Sequence, residues 1–324
     1  MKVAVIDDYQ NIFSKLNCFA QLKGQEVTVF QRPAKDEVEL AEQLRDAEAV
    51  ILTMQRTAIT RSLLDKLPKL RMISQTSRTI SHIDVAACTQ KGVVISVGDP
   101  GSLVVTAELA WALILAAQRH IPDEVQALKS GRWQTTVGIA LSGKTLGIYA
   151  YGKLGSMMAP IGRAFGMRVI CWGRDGSLAK AREAGFEAAA SRKEFFSTVD
   201  VLTLHLPLNK ETRGIVTAED LASMKSDALL VNTSRAGIIA EGALLAALKQ
   251  GRPGRAAVDV YDHEPVLDGN NPLLKLDNVL CTPHLGYVEK GKYEVMYTAA
   301  IEQLLSFAAG TPINVANPEV LKAA

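Results

Sequence analysis

Short runs rich in β-branched residues alternate with segments of helical apolar spacing along nearly the whole chain, in two successive series. In the first hundred residues KVAVID, EVTVF, AVILT, RMISQT and VVISV read as strands, and segments such as 36–47 and 82–92 between them read as helices. A strand that is apolar at consecutive positions is covered on both faces, and strands joined through helices run parallel. A second series follows from residue 145: TLGIYAY, RVICW, DVLTLHL, ALLVNTS, GRAAVDVY and NVLCTPH. The pattern predicts two doubly wound α/β sheets of parallel strands.

The segment 103–117, LVVTAELAWALILAA, separates the two series and is apolar at 13 of its 15 positions. A helix apolar all round is buried on every side. It reads as a domain junction and subunit interface, with a wholly internal core helix as the competing reading. The polar arm after it, RHIPDEVQALKSGRWQ, suits a segment that embraces a partner. The last 35 residues read as helical without a strand series of their own, so they must pack on something built earlier.

Composition narrows the function classes. The 324 residues hold 36 Lys+Arg against 34 Asp+Glu, a net charge of +2, and 48% are hydrophobic. That excludes intrinsic disorder, and it argues against a nucleic-acid or membrane-surface binder, which would carry a basic block. The cysteines at 18, 88, 171 and 281 are far apart and lie mostly in apolar stretches. They read as buried reduced thiols rather than disulfides, and no metal site is expected. MKVAVIDDY enters a strand without the apolar core of a signal peptide, and the 103–117 stretch is too short to span a bilayer. A soluble, cytoplasmic protein is expected.

The turn after TLGIY reads Ala150-Tyr151-Gly152-Lys153-Leu154-Gly155 and leads into a helix-like segment, the context of a dinucleotide fingerprint. Gly152 would let the backbone approach a pyrophosphate, Gly155 would pack helix on strand, and Lys153 and Leu154 lie at a helix N-terminus, where unpaired N–H groups attract anions. Ala150 replaces the first glycine; a left-handed backbone there would cost alanine about 1–2 kcal/mol. After the next strand comes Gly173-Arg174-Asp175. No carboxylate ends that strand to hold a ribose 2′-hydroxyl, Arg174 suits a 2′-phosphate, and Asp175 can still reach the ribose. NAD and NADP both stay open.

Ligands of open parallel sheets bind past the carboxyl ends of the strands. Just past three such ends stand Arg235, Glu264 and His284. Arginine offers a planar fork for a carboxylate. Histidine can pass a proton to a carbonyl oxygen, and a neighbouring carboxylate favours its protonated form. Together the three suit reduction of a 2-keto acid.

These segments resemble the D-isomer-specific 2-hydroxyacid dehydrogenases. VNTSRAGIIAEGALLAALKQGRPGRAAVDVYDHEP at 231–265 is similar to the family's signature around its catalytic arginine and glutamate; 200–216 and CTPHLGYV at 281–288 resemble two further signatures. The resemblance implies a reversible NAD(P)-dependent reduction of a 2-keto acid to the D-2-hydroxy acid. In it Arg235 orients the keto acid, His284 donates the proton and Glu264 pairs with His284. Asp259 falls near the nicotinamide carboxamide, and His205, Pro207, Thr212, Thr233, Ser234 and Gly286 fall in the cofactor site. For His205, in an apolar strand, a hydrogen-bonded core histidine is the competing reading.

In the first domain the resemblance places Ser77, Arg78 and Thr79 in the loop whose backbone amides meet the substrate carboxylate, and Arg56 at a substrate-binding position. QTSRTIS is poorer in glycine than the family's loop. Met54 stands where phosphoglycerate-type members have a second arginine, which argues against a phosphorylated substrate. The implied architecture is a Rossmann-type cofactor domain at 100–289 inserted in a flavodoxin-like substrate domain made of 1–99 plus 290–324. The resemblance also implies a homodimer formed through the cofactor domain. Rival readings are a nicotinamide-sensing binding protein of the co-repressor type, and a family member acting on formate or phosphonate.

Overall fold

The computed structural model describes residues 1–99 and 101–322. The chain divides into two compact units, Met1–Ser102 with Glu289–Ala324, and Leu103–Val288. In unit 1 the strands are β1 (Lys2–Val5), β2 (Glu26–Val29), β3 (Ala49–Leu52), β4 (Met72–Gln75) and β5 (Val94–Val97), with α1 (Glu37–Leu44), α2 (Arg61–Asp65) and α3 (Val85–Gln90) between them. All pairings are parallel and the order is β2-β1-β3-β4-β5, the flavodoxin-like arrangement. β3 and β4 are buried at every position, as continuous apolar runs require.

Unit 2 opens with α4 (Val104–Gln118) and α5 (Ile121–Lys129). Its strands are β6 (Thr145–Tyr149), β7 (Arg168–Trp172), β8 (Glu187–Ala188), β9 (Val201–Leu204), β10 (Leu229–Asn232), β11 (Arg255–Val258) and β12 (Val279–Cys281). The helices between are α6 (Gly155–Ala164), α7 (Asp175–Glu183), α8 (Arg192–Thr198), α9 (Ala218–Ser223) and α10 (Ala243–Lys249). The order β12-β11-β10-β9-β6-β7-β8 is the Rossmann order with one strand added at an edge, and it reverses direction between β6 and β9. That switch point puts the turn after β6 where a dinucleotide binds. The two-residue β8 carries no run of β-branched residues and escapes the sequence pattern.

The final helix α11 (Lys290–Ala308) returns to unit 1. Ser74 on β4 donates to the Ala300 carbonyl and to Gln303, and the Tyr297 and Thr53 hydroxyls meet at 2.8 Å. These contacts account for a tail with no sheet of its own. α4 buries Ala107, Ala110, Trp111, Leu113 and Ile114 but leaves Val104 and Leu115 exposed. Cys18, Cys88 and Cys171 are buried, and burial pushes their thiols up to about 11, 12 and 12; Cys281 is only partly covered. No helix among the described residues is long and apolar enough to cross a membrane.

Candidate active site

At the carboxyl edge of the unit 2 sheet, β6 ends in Tyr149 and the chain turns at Ala150, whose φ is +76°. Ala150 is pinned there: its N–H donates to the Trp172 carbonyl at 2.7 Å and its carbonyl accepts the Gly152 N–H at 2.9 Å. A side chain on Gly155 would place Cβ 2.5 Å from the Ala150 carbonyl oxygen and 2.9 Å from Ile148, so only glycine lets α6 lie this close to β6. Around Gly152, by contrast, the space is open. The N–H groups of Lys153 and Leu154, ahead of α6, meet no protein acceptor among the described residues.

Two further atoms at this edge are buried without a protein partner: Nδ1 of His205 after β9, and Oγ1 of Thr233 after β10. A buried polar atom left unpaired costs about 1–3 kcal/mol, so such atoms mark a place where a polar ligand belongs. With the free amides ahead of α6 they line three adjacent strands, β6, β9 and β10, and they fit a dinucleotide. His205 sits between its two readings. Its Nε2 bonds Thr203 Oγ1 at 3.0 Å as a core histidine would, while its Nδ1 stays open; burial pulls its pKa down to about 3. Pro207 and Thr212 close one loop, the Thr212 hydroxyl donating to the Pro207 carbonyl at 2.5 Å, and the Ser234 hydroxyl is taken by the Leu206 carbonyl. Gly173 leads from β7 into Arg174, the N-cap of α7; the Arg174 guanidinium pairs with Glu211 in an exposed position, and Asp175 is the first helical residue.

Past β11 and β12 lie Glu264 and His284. Glu264 Oε2 meets His284 Nδ1 at 2.5 Å, while Oε1 accepts the Tyr261 N–H at 2.8 Å. Burial alone would raise the Glu264 carboxyl; the His284 ring, the Tyr261 amide and the field of Arg235 together outweigh it and hold the group below its usual range. Arg235, after β10, also donates Nη1 to the Ser234 carbonyl at 2.7 Å. Arg235, Glu264 and His284 therefore belong to one electrostatic cluster. With Nδ1 engaged, the opposite nitrogen of the His284 ring is the one that can face a reacting oxygen. His284 has φ +53°, a strained conformation for a non-glycine residue and typical of functional positions.

What holds His284 in that conformation is Asp259, which is 0% exposed. Its Oδ1 accepts the Thr282 hydroxyl at 2.6 Å and the Leu285 N–H at 2.7 Å; its Oδ2 accepts the Gly286 N–H at 2.8 Å. Burial raises its carboxyl, and these three donors and His284 work against the rise. The carboxylate faces the histidine loop on both oxygens, and Gly286 serves that loop, since a side chain there would press 3.3 Å from Asp259 Oδ2.

In unit 1, Arg56 and the 77–79 loop lie past the carboxyl ends of β3 and β4. Arg56 donates Nη1 to the Asp7 carbonyl at 2.6 Å, with its guanidinium carbon 4.5 Å from the centre of the Tyr9 ring. Gln75 shapes the loop: its Nε2 reaches the Met54 carbonyl at 2.7 Å, the Thr79 carbonyl at 2.9 Å and Ser77 Oγ at 3.0 Å. The Ser77 hydroxyl is thereby committed inside the loop, while the N–H groups of Arg78 and Thr79 meet no protein acceptor among the described residues. Arg78 is exposed and pairs with Asp99 at 2.9 Å. Sequence reasoning missed Gln75, Asp99 and the anchoring role of Asp259. A polar residue at the end of an apolar strand marked Gln75 and Asp259 as sheet-edge residues without telling an anchor from a ligand contact; nothing in the pattern signalled Asp99.

Residues 111–286 match the family model described as D-isomer specific 2-hydroxyacid dehydrogenase, NAD binding domain. The chain is 37% identical over 294 residues to a glyoxylate reductase of Aeropyrum pernix, an alignment covering 87% of each. It is 38% identical over 276 residues to a D-3-phosphoglycerate dehydrogenase of Methanocaldococcus jannaschii. That match takes in 84% of this chain and 52% of the relative, so the chain spans about half the length of that protein. The crystal structure of a phosphoglycerate oxidoreductase from Vibrio cholerae superposes with a TM-score of 0.92 at 50% identity, covering 96% of this chain and 99% of that one.

Proposed function

Because the chain belongs to the D-isomer-specific 2-hydroxyacid dehydrogenase family, we propose that it reduces a small 2-keto acid reversibly to the D-2-hydroxy acid, using NADH or NADPH. The observation that carries this reading is the 2.5 Å bond between Glu264 and His284 beside Arg235. A bound reduced nicotinamide supplies the hydride. His284 delivers a proton to the keto oxygen from the ring nitrogen that Glu264 does not hold. Glu264, bonded to Nδ1, fixes the orientation of the ring and leaves its other nitrogen to face the substrate. Arg235 binds the substrate carboxylate with its planar fork and so sets which face of the keto carbon is presented. The amides before α6, with His205 and Thr233, hold the dinucleotide; Asp259 keeps the 282–286 loop in place. In unit 1, Arg56 and the amides of Arg78 and Thr79 receive the acid.

The experiment is a screen of glyoxylate, hydroxypyruvate, pyruvate, phosphohydroxypyruvate and bulkier 2-keto acids with NADH and NADPH. Oxidation of a cofactor by one of the small unphosphorylated acids, with a D-hydroxy product, is expected. Turnover confined to phosphohydroxypyruvate would contradict the reading drawn from Met54. Oxidation of neither cofactor by any acid would favour a binding protein that senses the nucleotide.

We also propose a homodimer formed through unit 2. Ile121, Val125 and Leu128 on α5 are exposed, as are Trp133 and Val137 on the arm, at 75% and 90%. Glu124 pins that arm to α5 by accepting from the hydroxyls of Thr135 and Thr136. Sedimentation should give twice the chain mass, and a monomer insensitive to Trp133→Ser would refute it.

A further inference from the structure

The loops after β7 and β9 are joined beside the fingerprint turn. β7 and β9 are the two neighbours of β6 in the sheet, so the segments leaving their carboxyl ends flank the turn at Ala150 from opposite sides. Arg174, from the β7 side, donates Nη2 to Oε2 of Glu211, from the β9 side. One ion pair thus links the two loops on either side of the candidate nucleotide site.

The two halves of the pair are built differently. Glu211 stands on a fixed turn: its N–H and that of Thr212 both donate to Asn209 Oδ1, at 2.9 and 3.0 Å, and the Arg213 N–H donates to the Asn209 carbonyl at 3.0 Å. Arg174 is the N-cap of α7, and its side chain does not cap that helix. The turn therefore sets where the carboxylate lies, and the arginine reaches across to it. Without Glu211 this corner would suit a phosphate. Arg174 offers a fork, and the N–H groups of Asp175 and Gly176 at the start of α7 meet no protein acceptor among the described residues.

With Glu211 present the fork is occupied. The two side chains are 73% and 72% exposed, so the pair itself shifts an equilibrium by about fivefold at most. A phosphate dianion that displaced the carboxylate from Arg174 would still lie beside it, a like-charge contact that costs about tenfold through water. Dinucleotide sites that select NAD carry a carboxylate near the end of the second strand, where it accepts from the ribose 2′-hydroxyl. Gly173 leaves that position empty of charge. We propose that Glu211 fills the role from the loop after β9: it accepts from the ribose and disfavours a 2′-phosphate, so the protein prefers NAD although it carries Arg174. Glu211 is then the residue that determines nucleotide specificity, an assignment that rests on the nicotinamide reading above.

The test titrates the full chain, without a keto acid, with NAD+, NADP+, 5′-AMP and 2′,5′-ADP by calorimetry. The parent should bind NAD+ about tenfold or more tightly than NADP+. Glu211→Gln should lower the Kd of NADP+ and of 2′,5′-ADP about tenfold and raise that of NAD+ about two- to fivefold. The gain for the two phosphate-bearing ligands should shrink as ionic strength rises and vanish when Arg174→Gln is added. Glu211→Asp should keep most of the parent's preference. A pair that merely braces the two loops predicts instead that Glu211→Gln and Arg174→Gln weaken all four ligands alike. Such equal losses overturn the proposal while the nucleotides still bind, as does a parent that prefers NADP+. So does a ratio of NADP+ to NAD+ Kd values that Glu211→Gln moves less than about twofold, or that Asp175→Asn moves further than Glu211→Gln does. A parent that binds none of the four ligands overturns the nicotinamide reading and this proposal with it.

Discussion

Replacing Asp259 by asparagine should loosen the histidine loop without unfolding unit 2. The carboxylate is 0% exposed and accepts three hydrogen bonds, two on Oδ1 and one on Oδ2. An amide keeps the shape but turns one acceptor into a donor. In the better orientation Nδ2 faces the Gly286 N–H, so that bond is lost and a buried N–H is left unpaired. A bond to a charged group contributes about 1.5–3 kcal/mol, and the orphaned N–H adds about 1–3 kcal/mol. Relief of the cost of burying a charge, visible in the raised Asp259 carboxyl, offsets part of this. A net loss of about 2 kcal/mol lowers the melting midpoint of a unit this size by about 4–8 °C. The Thr106 hydroxyl still holds the Gly286 carbonyl at 2.7 Å, so the loop stays attached but no longer fixes the strained His284 backbone. Misplacing a reacting group by about 1 Å costs on the order of 10²-fold, so kcat should fall by tens of fold or more while nucleotide affinity changes little. Differential scanning fluorimetry and steady-state kinetics measure both. An unchanged midpoint together with unchanged kcat would refute the anchoring role.

Ala150→Gly should leave the protein at least as stable as the parent, because release of left-handed strain, about 1–2 kcal/mol, offsets the usual entropic cost of glycine; a loss above about 1 kcal/mol in urea unfolding would contradict the strain argument. Arg174→Asp should shift preference from NADPH toward NADH, since it exchanges a cation suited to a 2′-phosphate for a ribose acceptor at the N-cap of α7. An unmoved ratio of kcat/KM values would remove Arg174 from cofactor choice. His205 is held neutral, its pKa drawn by burial to about 3, whereas in the unfolded chain it titrates near 6.5. Its contribution is complete above that unfolded value and is lost as pH falls toward the folded one, by about 1.4 kcal/mol per pH unit. His205→Asn should flatten the dependence of unfolding free energy on pH between about pH 6 and pH 5 by that amount. Parallel profiles for parent and variant would show that His205 protonates freely in the fold.

Sequence made the parallel sheets legible because strands covered on both faces, such as β3 and β10, cannot avoid continuous apolar runs. The Arg235, Glu264 and His284 set was visible for a related reason: a polar residue just past a buried strand has the sheet edge as its only destination. The left-handed turn at Ala150 could be foreseen from a fingerprint that needs glycine there. The function of Asp259 could not, since an aspartate at the same strand end reads equally as a ligand contact or as an anchor for a neighbouring loop. The pairing of Arg78 with Asp99 joins loops after different strands, and no periodicity records it. β8 was missed because two residues at a sheet edge need no apolar run at all.

The most direct test of the proton-donor assignment is kcat for the best 2-keto acid in His284→Ala, measured beside nucleotide affinity by fluorescence titration. A proton delivered by a positioned side chain is worth about 10²–10⁴-fold, so kcat should fall at least about 10²-fold with the nucleotide Kd nearly unchanged. Near-parental turnover in that variant, with the nucleotide still bound, would mean that the Glu264–His284 pair is not the acid that completes the reduction.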